Sequence, residues 1–91
     1  MKVLIVDDDI YVLKGLKTLI PWGDLEPEII GEARNGEEAF NIALEKSPDI
    51  IITDIKMPVM DGLELCKKIH ESTIHTSIIL LPLSGNGRGL L

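Results

Sequence analysis

The sequence predicts an α/β domain built on a parallel sheet, and two observations indicate this class. Short apolar runs alternate along the chain with segments of helical periodicity that are about ten residues long. Several of these runs are continuous rather than alternating in polarity, which is typical of strands that helices cover on both faces. The patterns together predict parallel strands joined by right-handed helical crossovers within one domain of 91 residues.

Each predicted element follows from a local pattern. The predicted strands are Lys2–Val6, Glu28–Ala33, residues 49–53 and Ser77–Leu81, and the predicted helices are residues 10–20, 37–46 and 63–71. Asp8 or Asp9 can cap the first helix and Asp61 the third, because a carboxylate accepts the unpaired amide hydrogens of a first turn. Pro21 ends the first helix, since proline cannot continue the helical hydrogen bonding.

Composition and charge exclude several classes of protein. The 15 acidic and 9 basic side chains leave a net charge of −6, which is the wrong sign for binding a phosphate backbone. The apolar runs are far shorter than the roughly 20 residues of a membrane helix, and Asp7 interrupts the first run before it could form a signal peptide. The single cysteine, Cys66, cannot form an internal disulfide or a cysteine-ligated zinc site. We therefore expect a cytoplasmic domain that binds neither membrane nor nucleic acid directly.

Acidic side chains follow two of the predicted strands. Asp7, Asp8 and Asp9 come directly after the first strand, and Asp54 follows the third. Ligands of open parallel sheets bind beyond the carboxyl ends of the strands, so neighbouring strands would bring Asp7, Asp8 and Asp54 into one cleft. Their charges would repel by roughly 1–4 kcal/mol per pair, which Mg²⁺ would relieve. A carboxylate beside such a metal can attack phosphorus, although a single Asp at a strand end is more often a helix cap or a turn residue.

Three stretches resemble the receiver domains of two-component response regulators. They are residues 3–9 (VLIVDDD), 35–39 (NGEEA) and 48–62 (PDIIITDIKMPVMDG). The resemblance covers residues 2–71 and implies a doubly wound, flavodoxin-like sheet of strand order 2-1-3-4. The family's fifth strand and last two helices are missing, so residues 1–81 would be an incomplete receiver domain and residues 82–91 an irregular, glycine-rich tail. The segment 20–22 (IPW) also resembles regulators with an AraC-type DNA-binding output.

The resemblance assigns roles to particular residues. Asp54 matches the phosphoacceptor, which receives a phosphoryl group from a sensor histidine kinase. Asp7 and Asp8 match the acidic pair that holds Mg²⁺, together with Asp54 and the main-chain carbonyl of Lys56. Ser84 is the candidate for the hydroxyl that binds the phosphoryl group, although two additional residues precede it, and the family's lysine after the fifth strand has no counterpart. The resemblance thus implies a phospho-accepting signalling module, not an enzyme, that regulates a transcriptional output absent from this chain.

Two other functions stay open from the residues alone. A receiver-like remnant that binds partners without phosphotransfer is the first, because the final elements of the domain are missing. A haloacid-dehalogenase-type phosphatase is the second, with Asp7 as nucleophile and Asp9 as general acid, although the chain lacks the further lysine and acidic pair of such enzymes. The strand Ser77–Leu81 would also be an uncovered edge, which predicts self-association.

Overall fold

A computed structural model describes residues 1–19 and 22–82 of the chain. Its strands are β1 (Lys2–Val6), β2 (Glu28–Ala33), β3 (Ile50–Asp54) and β4 (Ser77–Leu81), and its helices are α1 (Ile10–Leu19), α2 (Gly36–Lys46) and α3 (Gly62–His70). The strands form one parallel sheet of order β2-β1-β3-β4, which confirms the predicted fold class and strand order. A short 3₁₀ turn, Gly23–Leu25, was not predicted. No described helix is long and apolar enough to span a membrane.

The central strand β1 divides the core into two layers. Successive side chains of a strand point to opposite faces, so Val3 and Ile5 pack against α1 while Leu4 and Val6 pack against α2 and α3. All four side chains are fully buried. This burial on both faces is the physical reason for the continuous apolar run in the sequence, and it holds the carboxyl end of β1 in a fixed place.

Carboxylate caps determine where two of the helices begin. The Asp61 and Glu64 side chains each accept a hydrogen bond from the other residue's amide, and the bond from the Glu64 amide to Asp61 Oδ1 is 2.8 Å long. At α1, Asp9 Oδ1 accepts a hydrogen bond from the Tyr11 amide at 2.8 Å. Of the two candidate caps for α1, Asp9 is therefore the one that acts, and the carboxylate of Asp8 has no part in this cap.

Strand β4 forms an edge of the described sheet. It pairs with β3, with Ile79 opposite Ile52, and β3 is its one partner strand within residues 1–19 and 22–82. Ile79 is 42% exposed, although it belongs to a strand of aliphatic residues. The edge position expected for Ser77–Leu81 is thus present among the described residues, with an exposed apolar side chain on a strand that they pair on one side only.

Candidate metal and phosphoacceptor site

The ends of β1 and β3 place acidic residues side by side. The register of the two strands pairs Val6 with Thr53, so the residues that follow, Asp7 and Asp54, lie together at the carboxyl edge of the sheet. Carboxylate oxygens of Asp7, Asp8 and Asp54 all lie within 4.8 Å of one another. The structure therefore brings together the three acidic side chains that the sequence singled out, in a pocket that we call the acidic pocket.

The acidic pocket is mostly closed to solvent. Asp7 and Asp54 are fully buried, whereas Asp8 is partly exposed. The pKa of Asp7 is raised from 3.8 to about 6: burial has the largest effect, the Asp9 amide, which donates to Asp7 Oδ1 at 2.9 Å, lowers the pKa, and the nearby charges of Asp54 and Asp8 raise it. Keeping Asp7 ionised at neutral pH consequently costs free energy, and a cation in the pocket would recover that cost.

The donor set fits a magnesium ion. Mg²⁺ prefers hard oxygen ligands, and it usually binds one or two carboxylates and keeps several waters. Asp7 Oδ2 is buried and accepts no hydrogen bond from any residue that the structure describes, so it has the lone pairs for a metal. Asp8, as the partly exposed member of the group, marks the side from which a hydrated ion would enter.

The loop that follows Asp54 is tied closely to the site. The Ile55 amide donates to Asp54 Oδ1 at 2.7 Å, and the Gly62 amide donates to the carbonyl of Ile55 at 2.7 Å. A Cβ atom at Gly62 would overlap the carbonyl oxygen of Asp54. Helix α3 therefore begins in direct contact with the main chain of the candidate phosphoacceptor, which requires glycine at its first residue.

The roles of two residues assigned by resemblance stay predictions. Lys56 lies in the loop two residues after β3 with an exposed side chain, and the role of its carbonyl stays a prediction. Ser84 lies outside the described residues, as does Pro21. The described site thus consists of Asp7, Asp8 and Asp54 with the loops that carry them.

Sequence reasoning missed one residue that contacts the site. Arg34 follows β2, and its guanidinium donates to the carbonyl of Asp8 from Nε at 3.1 Å and from Nη2 at 2.8 Å. The signal was present, since Arg34 comes directly after a predicted strand. The rule that placed Asp7 and Asp54 at the carboxyl edge of the sheet applies to the end of β2 as well.

The fold and the acidic pocket agree with the comparisons with known proteins. The chain belongs to the response regulator receiver domain family, whose sequence profile matches residues 3–87.

Relatives and solved structures show how far the similarity extends. The transcriptional regulatory protein YesN of Bacillus subtilis is 45% identical over 86 residues, which is 94% of this chain and 23% of YesN. The receiver domain of AraT, a response regulator from Geobacillus stearothermophilus, is 32% identical, with a TM-score of 0.78 over 99% of this chain and 74% of that one. A CheX–CheY–BeF₃–Mg complex from Borrelia burgdorferi matches with 33% identity and a TM-score of 0.77, over 88% and 60%. The chain therefore spans about a quarter of YesN.

Proposed function

We propose that this chain is a phospho-accepting receiver module, which takes a phosphoryl group from a sensor histidine kinase onto Asp54. The observation that carries the proposal is the convergence of Asp7, Asp8 and Asp54 within 4.8 Å at the carboxyl edge of the sheet. Membership of the receiver family supports Asp54 as the acceptor, because it lies within the stretch of residues 48–62 that resembles the family most closely.

The transfer is a displacement at phosphorus. A carboxylate oxygen of Asp54 forms a bond to phosphorus while the bond from phosphorus to the kinase histidine nitrogen breaks, and its electron pair returns to the imidazole. Asp7, Asp8, Asp54 and the Lys56 carbonyl would hold Mg²⁺, which would supply positive charge to the phosphoryl oxygens. The burial of Asp54 limits the access of water, which protects the acyl phosphate from hydrolysis.

The relatives support a place for this module in gene regulation. YesN is a transcriptional regulatory protein and is about four times as long as the matched region, so we propose an output part outside this chain. Any contact with DNA would then be made by that part and not by residues 1–81, whose net charge does not favour it. The similarity to the CheX–CheY–BeF₃–Mg complex supports a magnesium-dependent site in the present chain. We propose that the chain acts in signalling and not in metabolic catalysis, and that it does so in the cytoplasm.

Incubation with acetyl phosphate and Mg²⁺ tests the proposal without the kinase. We expect intact-mass spectrometry to show an added mass of about 80 Da, that of one phosphoryl group, which hydroxylamine removes. The adduct should be abolished in Asp54→Asn and kept in Asp24→Asn, which removes an exposed carboxylate on the 3₁₀ turn.

The same assay separates the alternatives. A wild-type chain that never gains the adduct would contradict phosphotransfer and support a remnant that only binds partners. Turnover of phosphate esters that is lost in Asp7→Asn would instead support the phosphatase. The structure gives that enzyme little support, because the Asp9 carboxylate caps α1 and is not in the acidic pocket.

Strand β4 leads to a prediction about oligomeric state. We propose that the exposed edge pairs with the same edge of a second copy, since Ile79 and the side of β4 that residues 1–19 and 22–82 leave open would be covered there. In size-exclusion chromatography, the chain should elute as a dimer or larger species at high concentration and dissociate on dilution. Ile79→Lys should shift this equilibrium to the monomer, whereas Leu44→Lys, at an exposed position of α2, should not. Monomeric elution at every concentration would contradict the proposal.

A further inference from the structure

Arg34 contacts the acidic pocket through the main chain and not through a carboxylate. Its guanidinium donates two hydrogen bonds to the carbonyl oxygen of Asp8, at 3.1 Å from Nε and 2.8 Å from Nη2. That carbonyl belongs to the turn between β1 and α1, which carries the partly exposed carboxylate of the pocket. The contact therefore restrains the turn through its main chain and uses no carboxylate oxygen of the acidic pocket.

Arg34 is itself held by the start of α2. Its amide donates to Glu38 Oε1 at 2.8 Å, and the Glu38 amide donates in turn to Asn35 Oδ1 at 2.9 Å. Two residues after Arg34, the Gly36 amide donates to the carbonyl of Met60 at 2.8 Å, in the loop that follows β3. The segment of residues 34–36 thus connects the two loops that carry the acidic residues.

We propose that Arg34 is a positioning residue for the metal site. By holding the Asp8 carbonyl, it keeps the β1–α1 turn in the conformation that directs the Asp8 carboxylate toward Asp7 and Asp54. Groups outside the ligand set that orient the ligands typically change metal affinity by about 10- to 100-fold when they are removed. This inference deepens the proposed function and rests on its Mg²⁺ site.

Arg34→Lys is the decisive variant, because it keeps the positive charge and loses the planar pair of donors. We expect calorimetric titration to show Mg²⁺ binding about tenfold weaker than in the wild type, the lower end of that range, because lysine keeps the charge. A second measurement needs no metal. Exchange of the Asp9 amide hydrogen, which bonds to Asp7 Oδ1 across the turn, should become faster in Arg34→Lys without Mg²⁺. The side chain of Arg34 is exposed, so the variant keeps its core.

A comparison of Arg34→Ala with Lys17→Ala separates the positioning effect of Arg34 on the metal site from the effect of its charge. Both variants remove one positive charge, but Lys17 pairs with Glu32 on β2, whereas Arg34 donates to the Asp8 carbonyl. Charge loss alone should tighten Mg²⁺ binding, whereas loss of positioning weakens it. We expect Arg34→Ala to bind Mg²⁺ more weakly than the wild type and Lys17→Ala to bind it within about twofold of the wild type.

Several results would overturn the inference. Equal Mg²⁺ affinity in the wild type and Arg34→Lys would do so, as would unchanged exchange at Asp9. If Arg34→Ala binds Mg²⁺ more tightly than the wild type, Arg34 acts on the site through its charge alone. A wild-type chain that binds no Mg²⁺ would instead refute the metal site of the proposed function. If the wild type binds Mg²⁺ and the Arg34 variants do not behave as expected, the inference about Arg34 fails and the proposed metal site stands.

Discussion

Gly62→Ala should lower the free energy of unfolding by about 2 kcal/mol or more, although alanine is the better helix former. Alanine in place of glycine within a helix gains about 1 kcal/mol. The added Cβ would overlap the carbonyl oxygen of Asp54 and lie 3.0 Å from Leu80 Cδ2, and a backbone atom cannot move aside as a flexible side chain can. Overpacking of this kind costs about 1–3 kcal/mol when the neighbours relax, and more when the neighbour is backbone.

Urea denaturation measures this effect, and Leu63→Ala provides the control. Leu63 is the next residue of the same helical turn and is 57% exposed, so its truncation should change the free energy of unfolding by about 0.5 kcal/mol or less. Because the overlap involves the main chain of Asp54, Gly62→Ala should also lose the acetyl phosphate adduct. A Gly62→Ala chain as stable as the wild type would refute the contact between α3 and β3.

Asp7→Asn should stabilise the metal-free chain by about 2 kcal/mol at neutral pH and remove its stabilisation by Mg²⁺. Burial raises the pKa of Asp7 from 3.8 to about 6, so ionising it in the folded chain costs free energy. Asparagine carries no charge, and its amide hydrogens can be donated to the carboxylates of Asp8 and Asp54. The variant loses a metal ligand by the same change, so Mg²⁺ should no longer raise its unfolding midpoint.

The raised pKa of Asp7 also predicts how the free energy of unfolding depends on pH. The folded chain holds the proton of Asp7 more tightly than the unfolded chain, so this group's contribution to the free energy of unfolding falls as pH rises from about 4 to about 6. Above that range the loss is constant. Urea denaturation without Mg²⁺ at about pH 5 and about pH 7.5 should show this decrease in the wild type and not in Asp7→Asn. With Mg²⁺ at about pH 7.5, the wild type should be stabilised and Asp7→Asn should not. The control is Asp24→Asn, which should behave as the wild type, and a pH profile unchanged in Asp7→Asn would contradict the raised pKa.

The sequence was sufficient to predict the elements whose pattern comes from burial. Lys2–Val6 is continuous in apolar residues because both of its faces are covered, and the strand ends carry the acids because ligand sites of parallel sheets lie there. The Asp61 cap was also predictable, since capping depends on the residue types of a single turn. These features depend on a few neighbouring residues and on one general rule of topology.

Features that depend on contacts between distant segments could not be predicted. Gly62 is a helical residue whose constraint comes from the carbonyl of Asp54, and no local pattern indicates that approach. The contact of Arg34 with Asp8 joins residues 26 positions apart, and an arginine beside a turn is usually solvated. The 3₁₀ turn Gly23–Leu25 is too short to have a recognisable period.

The order of strands has a consequence for the way in which the site would be lost on heating. Local unfolding begins where fewest apolar contacts hold a segment, and in this sheet β4 has exposed Ile79 and a single partner strand among the described residues. Its loss would uncover β3, which ends at Asp54, before it reached β1, which Asp7 follows. Warming would therefore disable the phosphoacceptor half of the site first, while the aspartates that follow the central strand stayed in place.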